Sequence, residues 1–343
     1  MRNIFNKSVL LIFLSYICAG TPFEYTLGLT SGYDSNVMRF SDEEFNEAIT
    51  DNKLMGGANT FDSYVLKFGL SGEKSIWVMN KKEIVINGSY NWADYKNNPE
   101  KKYWSGGFDA TFRWGSYKNI KYSLRHLNSF YLRHYVDRDI SNSSLSSCFF
   151  TDRNQSILLT QRIKKNYWVN FGLGFLQRYY DRPFTEFDLD IIYVKGKINK
   201  KIKNLGSIAF QVNQGRAKSE SHYLPDRPSS FDRSYETMEW YVPFKINKRI
   251  KYLDEIGISI RSENRKYDAE DPDDPLHTGR SHLDRKYDFW IKKEVYDSFS
   301  LSVSSRYRTR NTQSAYSWVT DLKSFEQFQI WLKIEWDFIY DRY

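Results

Sequence analysis

The sequence lacks any run of eighteen consecutive apolar residues beyond its first twenty positions. A transmembrane helix needs about twenty such residues, so we exclude a helical membrane protein. Alanine, the strongest helix former, occurs only nine times in 343 residues, which disfavours a mostly helical fold. Cysteine occurs twice, at Cys18 and Cys148, without the spacing of a metal site. We expect no internal disulfide, no metal and no other cofactor.

Charge of one sign is not concentrated anywhere along the chain. Lysine and arginine total 50 against 42 acidic residues, which gives a net charge of +8. The basic residues are interspersed with acidic ones along the chain. This distribution does not predict a nucleic-acid-binding surface. Aromatic residues, by contrast, make up 17% of the chain, which disfavours disorder. A chain rich in aromatic and charged residues suits strands with one apolar and one polar face.

The first twenty residues resemble a removable targeting segment. A basic start, an apolar stretch of about a dozen residues and a small-residue ending form the pattern of a signal peptide cleaved after Gly20. A lipoprotein attached at Cys18 is the weaker alternative, because the preceding Ile17 is bulky. We predict a signal peptide at 1–20 and a single β-barrel domain at 21–343.

The rest of the chain repeats one pattern, in which apolar and polar residues alternate for about ten positions before a turn. Alternation places one set of side chains on each face of a strand. In the last such stretch, Trp336, Phe338 and Tyr340 oppose Glu335 and Asp337. Fourteen segments follow this pattern: 23–33, 62–72, 83–95, 102–115, 119–136, 151–163, 167–180, 184–197, 203–217, 235–247, 252–267, 282–295, 299–310 and 325–340.

The connections between these segments differ in length in a regular way. Long loops are expected at 34–61, 137–150, 218–234, 268–281 and 311–324, whereas most of the other connections are short turns. An even number of long strands, with long loops at one end and short turns at the other, is typical of a transmembrane antiparallel up-and-down barrel. A soluble sandwich or lipocalin-like barrel is the alternative, and its apolar faces would point inward.

The last strand, 334–340, resembles the aromatic C-terminal strand of Gram-negative outer-membrane proteins. The resemblance implies that Trp336, Phe338 and Tyr340 form the signal read by the barrel-assembly machinery, with Tyr343 as an alternative terminal aromatic. It also implies a location in the cell outer membrane, in contact with lipid and lipopolysaccharide, with the short turns in the periplasm. No individual family is recognised.

Catalytic patterns are weak. The sequence has no Gly-x-Ser-x-Gly motif, and we expect no enzyme activity. A hydrolase at the rim stays an alternative if a loop Ser or Asp converges on His222, His277 or His282, whereas His126 and His134 are interpreted as wall residues. The acidic loop 268–281 is interpreted as solvated rather than as a calcium site.

A short helix is expected inside the first long loop. Ser41 and Glu44 have the spacing of a capping box, and Phe45, Ala48 and Ile49 follow at helical intervals. The sequence does not indicate whether this helix enters the lumen or lies over the rim.

The expected function is a channel for passive diffusion of small polar or charged solutes, because the inner faces are polar. A non-conducting binding or structural barrel is the other alternative. The last prediction concerns the wall formed by three neighbouring strands, whose inward charges leave a surplus of three cations. The expected pore-lining residues are Arg261, Glu263, Arg265, Asp284, Lys286, Asp288, Arg306, Arg308 and Arg310.

Two registers are predicted for this wall. A tight turn near Tyr296 pairs positions that sum to 594, which places Asp288 beside Arg306 and Asp284 beside Arg310. Across the long loop 268–281, the numbers of paired positions are expected to sum to 549. This register would place Arg261 beside Asp288, Glu263 beside Lys286, and Arg265 beside Asp284.

Overall fold

The computed structural model describes residues 21–137, 139–141, 143–219, 222–227, 230–247 and 252–341. The expected signal peptide at 1–20 and the alternative terminal aromatic Tyr343 lie outside the described residues.

The described chain forms fourteen antiparallel strands that close into a barrel. Each strand pairs with its neighbours in sequence, and β1 pairs with β14, so the sheet has no open edge. This confirms the predicted fold class and strand number. The strands are β1 Phe23–Asp34, β2 Ser63–Met79, β3 Lys82–Tyr95, β4 Tyr103–Gly115, β5 Lys118–Val136, β6 Leu145–Lys164, β7 Tyr167–Tyr180, β8 Leu189–Ile202, β9 Gly206–Lys218, β10 Tyr235–Ile246, β11 Glu255–Tyr267, β12 Ser281–Tyr296, β13 Phe299–Gln313 and β14 Phe325–Tyr340.

Four predicted strand limits are wrong by five or more residues. Strand β2 continues to Met79, and β6 begins at Leu145 because it pairs with the far end of β5 beyond two bulges. Strand β8 spans Leu189–Ile202 rather than 184–197. Phe187 continues the alternation of Leu189 and Ile191 but lies in the 3-10 turn Thr185–Phe187.

The outer face of the barrel is apolar. Phe68 and Leu70 on β2, Ile157 and Leu159 on β6, and Phe289 on β12 are between 40 and 50% exposed. The soluble alternative, which needs these side chains inside, is therefore wrong. An apolar outer face on a closed sheet is stable in lipid, where each backbone polar group must find a partner within the protein.

Two short helices lie in the long loops. Helix α1 (Asp42–Thr50) begins at Ser41, whose Oγ accepts from the Glu44 N–H at 3.2 Å while the Glu44 carboxylate accepts from the Ser41 N–H at 3.1 Å. Helix α2 (Ser317–Lys323) lies between β13 and β14 and contacts α1. The capping box is thus confirmed. No helix in the described ranges is long and apolar enough to cross a membrane.

Candidate functional site: the charged lumen and its inner loops

A cavity of about 770 Å³ lies within the barrel towards the long-loop end. Among the described residues that line it, eleven are Arg or Lys and six are Asp or Glu, which leaves five more cations than anions. The eleven cations are Arg39, Arg133, Arg178, Arg227, Arg233, Arg265, Arg280, Lys286, Arg308, Arg310 and Lys323. Such a lining attracts anions more strongly than cations.

The wall between β12 and β13 has the predicted register. Asp284 faces Arg310, and Asp288 faces Arg306. The short turn at 297–298 and a shift of one position between Glu294 and Tyr296 together produce this pairing. The Arg306 guanidinium donates to Asp288 at 2.6 Å, and Arg310 donates to Asp284 at 3.0 Å. Arg308 also donates to both oxygens of Asp284, so one carboxylate holds two guanidinium groups. A cross-strand charge pair that is partly exposed, such as Arg306–Asp288, contributes only about 0.2–1 kcal/mol and mainly orders the side chains. Asp284 and Arg308 are buried, so removal of either would leave an uncompensated charge in the wall.

The register predicted between β11 and β12 is wrong by two residues. Arg261 lies opposite Lys286 rather than Asp288, and Glu263 lies opposite Asp284. The loop 268–280 is long enough to permit either pairing. A shift of two keeps every side chain on its expected face.

The charges of β11 therefore find other partners. Arg261 donates to Glu239 on β10 at 3.4 Å. Arg265 donates to Glu263 on its own strand at 2.9 Å and lies over the Tyr235 ring, 4.3 Å from the ring centroid. Lys286, opposite Arg261, has no ion pair among the described residues. Of the nine predicted pore-lining residues, five line the cavity itself: Glu263, Arg265, Lys286, Arg308 and Arg310.

A second cavity of about 400 Å³ is bordered by strands β3 to β7. Asp152 on β6 lines both cavities. Its carboxylate accepts two hydrogen bonds of 2.8 Å from Arg178, whose guanidinium lies over the Phe150 ring. Polar space thus extends from the larger cavity along the opposite wall of the barrel.

The first long loop enters the lumen. The sequence did not indicate whether it would do so or lie over the rim. Glu44 of α1 forms an ion pair with Arg133 on β5. The same guanidinium donates to the carbonyl oxygens of Met38 at 3.0 Å and Arg39 at 2.8 Å, which ties the loop to the wall at three points. Burial, followed by repulsion from Arg308 and Arg310, lowers the pKa of Arg39 to about 9.

The loop 268–280 is less solvated than expected. Asp274 is only 1% exposed and lies 2.7 Å from Nδ1 of His277. Burial raises the pKa of Asp274 to about 6, although Arg233 and Arg280 oppose the shift. Within the described ranges, no group of three His, Cys, Asp or Glu side chains could hold a metal ion.

Of the three histidines named for a rim hydrolase, His277 meets the expected condition, because the loop carboxylate of Asp274 lies 2.7 Å from its Nδ1. The other two have different partners. His282 bonds Thr312 at 2.8 Å, and His222 packs against the Tyr223 ring. A serine–histidine pair instead occurs between β6 and β5, where Ser147 Oγ lies 3.3 Å from Nε2 of His134. The other ring nitrogen of His134 bonds the Tyr131 hydroxyl at 2.5 Å, so a phenol occupies the place where a triad has a carboxylate.

Sequence reasoning missed seven of the eleven cations of the cavity: Arg39, Arg133, Arg178, Arg227, Arg233, Arg280 and Lys323. All except Arg133 and Arg178 lie in loops or in α2, where no strand alternation indicates which way a side chain points. The capping box at Ser41 located the first of these loops without giving its direction.

No protein-family model and no curated protein matches the sequence. Among solved structures, the chain is similar to the outer-membrane protein OprD from Pseudomonas aeruginosa, with 8% identity over 93% of this chain and 94% of that one and a TM-score of 0.41. It is also similar to the outer-membrane channel DcaP of Acinetobacter baumannii, with 9% identity, coverage of 93% and 97%, and a TM-score of 0.44. An anion-selective porin from Comamonas acidovorans gives 7% identity, coverage of 93% and 99%, and a TM-score of 0.40. At TM-scores below 0.5, these similarities support no conclusion about the solute of this chain.

Proposed function

We propose that this protein is an outer-membrane channel for passive diffusion of small polar solutes, with a preference for anions. The observation that carries the proposal is the cavity inside the barrel, whose described lining has five more cations than anions. A charged inner face stays hydrated, and fixed charges on a narrow hydrated passage select solutes by sign. No residue needs to perform covalent chemistry.

The two faces of the barrel support a membrane location. Apolar side chains point outward along the strands, and charged pairs such as Asp288–Arg306 lie on the opposite face. We assign the short turns to the periplasm and the long loops to the cell surface, where they contact lipopolysaccharide. In this arrangement residues 1–20 direct export, and mature protein begins at Thr21.

The terminal strand has the features that recognition by the barrel-assembly machinery needs. Trp336, Phe338 and Tyr340 are 40, 39 and 54% exposed on the outer face. They lie near the short-turn end, and the Phe338 ring stacks on Tyr25 of β1 at 5.0 Å. Amphipathic aromatic side chains are favoured at such an interface.

Liposome swelling tests the channel directly. Refolded protein in liposomes should admit a monosaccharide and exclude a tetrasaccharide, because the inner loops narrow the lumen. Liposomes that contain heat-unfolded protein serve as the control. Swelling rates equal to that control for the monosaccharide would contradict the proposal and favour the non-conducting barrel.

A rim hydrolase is the second candidate because Ser147 lies beside His134. Ester hydrolysis with a lipid or short acyl ester separates it from a channel. If the protein hydrolyses the ester and Ser147→Ala abolishes the activity while Ser146→Ala does not, the hydrolase stands. We expect no hydrolysis above background from either variant or from the native protein.

A further inference from the structure

Five cations that line the cavity have no ion pair in the described part of the chain: Arg39, Arg233, Arg280, Lys286 and Lys323. Among the acids near them, Glu44 pairs with Arg133, Glu263 pairs with Arg265, and Asp284 holds both Arg308 and Arg310. Asp34, which also acts on Arg39, accepts hydrogen bonds from the neutral amides of Gln327 at 2.8 Å and Gln329 at 2.7 Å. Glu47 and Asp274 line the cavity without an Arg or Lys ion pair among the described residues, so five unpaired cations stand against two such acids there. Three of these cations, Arg39, Arg280 and Lys323, act electrostatically on Arg310 or on His282.

Arg280 is buried, and Arg39 and Lys323 are half-buried. Arg280 is 5% exposed, its Nε has no acceptor, and its guanidinium lies over the Tyr267 ring at 4.0 Å. Burial lowers the pKa of Lys323 to about 8, with Arg133 and Arg280 acting in the same direction and Glu44 opposing them. A buried cation without a counter-ion is costly, so a bound anion would stabilise this part of the protein.

The three residues reach the cavity from separate elements. Arg39 comes from the first loop, Arg280 from the loop before β12, and Lys323 from α2. Arg310 on β13, whose Nε also lacks an acceptor, is close enough to repel Arg39. Charges that converge from several directions fit an anion with several charged oxygens better than a carboxylate with a single charge.

We propose that Arg39, Arg280, Arg310 and Lys323 form a saturable binding site for a multivalent oxyanion, namely phosphate or a small phosphate ester. The inference deepens the proposed channel function by naming its solute class. The planar guanidinium groups bind two phosphate oxygens at once, whereas Lys323 supplies a point charge. A solute that pauses at this site passes faster at low concentration and saturates at high concentration.

Calorimetric titration of the refolded full-length barrel with sodium phosphate, at pH 7 and constant chloride, tests the site. We expect saturable binding with a stoichiometry of one. Arg280→Gln and Lys323→Gln should each weaken binding about tenfold, the loss expected for one charge-assisted hydrogen bond. Arg280→Lys should fall between native protein and Arg280→Gln. Lys165→Gln, an exposed turn residue, removes the same charge elsewhere and should leave binding unchanged.

Several outcomes would overturn the site. These are an absence of saturable phosphate binding, equal losses in Arg280→Gln and Lys165→Gln, or acetate binding as tight as phosphate. Sulfate as tight as phosphate supports a multivalent oxyanion site and removes only the preference for phosphate. Altered migration of unheated protein on gels identifies variants that fail to fold. If Arg280→Gln fails to fold, the Arg280→Lys variant is used to test the site. If the barrel conducts chloride but does not bind phosphate, only this inference is overturned. If the barrel binds phosphate but does not conduct, the proposed channel function is overturned.

Discussion

Paired and unpaired charges contribute differently to the lumen. Arg308 and Arg310 share the Asp284 carboxylate, so much of their field is neutralised where they stand. Arg280 and Lys286 have no ion pair among the residues described, and their fields extend into the cavity. The electrostatic character of the passage therefore depends more on a few unpaired cations than on the total number of charges.

Gly56 permits the first loop to lie against the wall. Its φ is +62°, and an added Cβ would lie 2.6 Å from the His134 ring and 2.8 Å from the Tyr131 hydroxyl. Gly56→Ala should cost about 1–3 kcal/mol locally and loosen the loop. We expect faster proteolysis within 35–62 and larger single-channel conductance. Gly57→Ala is the matched control, since its Cβ would have only an ordinary contact at 3.7 Å. Identical behaviour of the two variants would show that Gly56 does not hold the loop.

Asp274 should make the anion preference depend on pH. Its pKa is raised to about 6 by burial, so it is ionised at pH 7.5 and neutral at pH 5. Loss of this negative charge beside Arg233, Arg280 and His277 strengthens the anion preference on acidification. At pH 7.5, the Asp274→Asn variant should give a reversal potential that indicates a stronger anion preference than that of the native protein. This potential should also change less with pH. An equal pH response in native and variant protein would exclude Asp274 as the source of the pH dependence.

At the scale of elements, the length of a connection determines how far the sequence predicts the pairing of strands. The turn at 297–298 allows one register, and the predicted pairs Asp284–Arg310 and Asp288–Arg306 are correct. The loop 268–280 allows several registers, and the pairing of Arg261 was predicted two residues away from its actual position. Alternation alone fixes the face of a side chain and not its partner.

The inner loops explain why the candidate site was only partly predictable. Arg308 and Arg310 could be placed on the lumen wall because they alternate with the outward Tyr307. Arg39, Arg280 and Lys323 lie outside the strands, and their direction depends on tertiary contacts such as the ion pair between Glu44 and Arg133. The alternation of apolar and polar residues therefore predicts the fold. It does not predict the loop cations that line the cavity.

Strand β14 closes the barrel, so its end should be needed for assembly. It pairs with β13 on one side and with β1 on the other. Deleting 334–343 would leave the backbone of β1 without a partner in lipid, which is strongly unfavourable. We expect the truncated protein to accumulate as a periplasmic aggregate, detected by fractionation. Deleting the exposed residues 225–226 from the loop between β9 and β10, at the other end of the barrel, should still permit assembly. Normal membrane insertion of the 334–343 truncation would contradict the role of β14.

At the scale of the whole molecule, the barrel places charge inside and apolar side chains outside. This inversion of a soluble protein is stable only where lipid covers the outer face and water or ions occupy the inner face. The inner loops with α1 and α2 add a narrow, positively charged zone near one end of the hydrated path. In the proposed channel, this zone of excess positive charge is the segment that selects solutes.

Reversal potentials in a potassium chloride gradient across a planar bilayer test the central claim most directly. Native protein should give steady single-channel steps and an anion-selective reversal potential. Replacing Arg306, Arg308 and Arg310 by Ser should shift that potential towards cation selectivity, because Asp284 and Asp288 lose their partners. Replacing Lys81, Lys82 and Lys165 by Ser removes the same charge from exposed turns and should leave it unchanged. A silent bilayer, or a cation-selective reversal potential in the native protein, would contradict an anion-selecting passage.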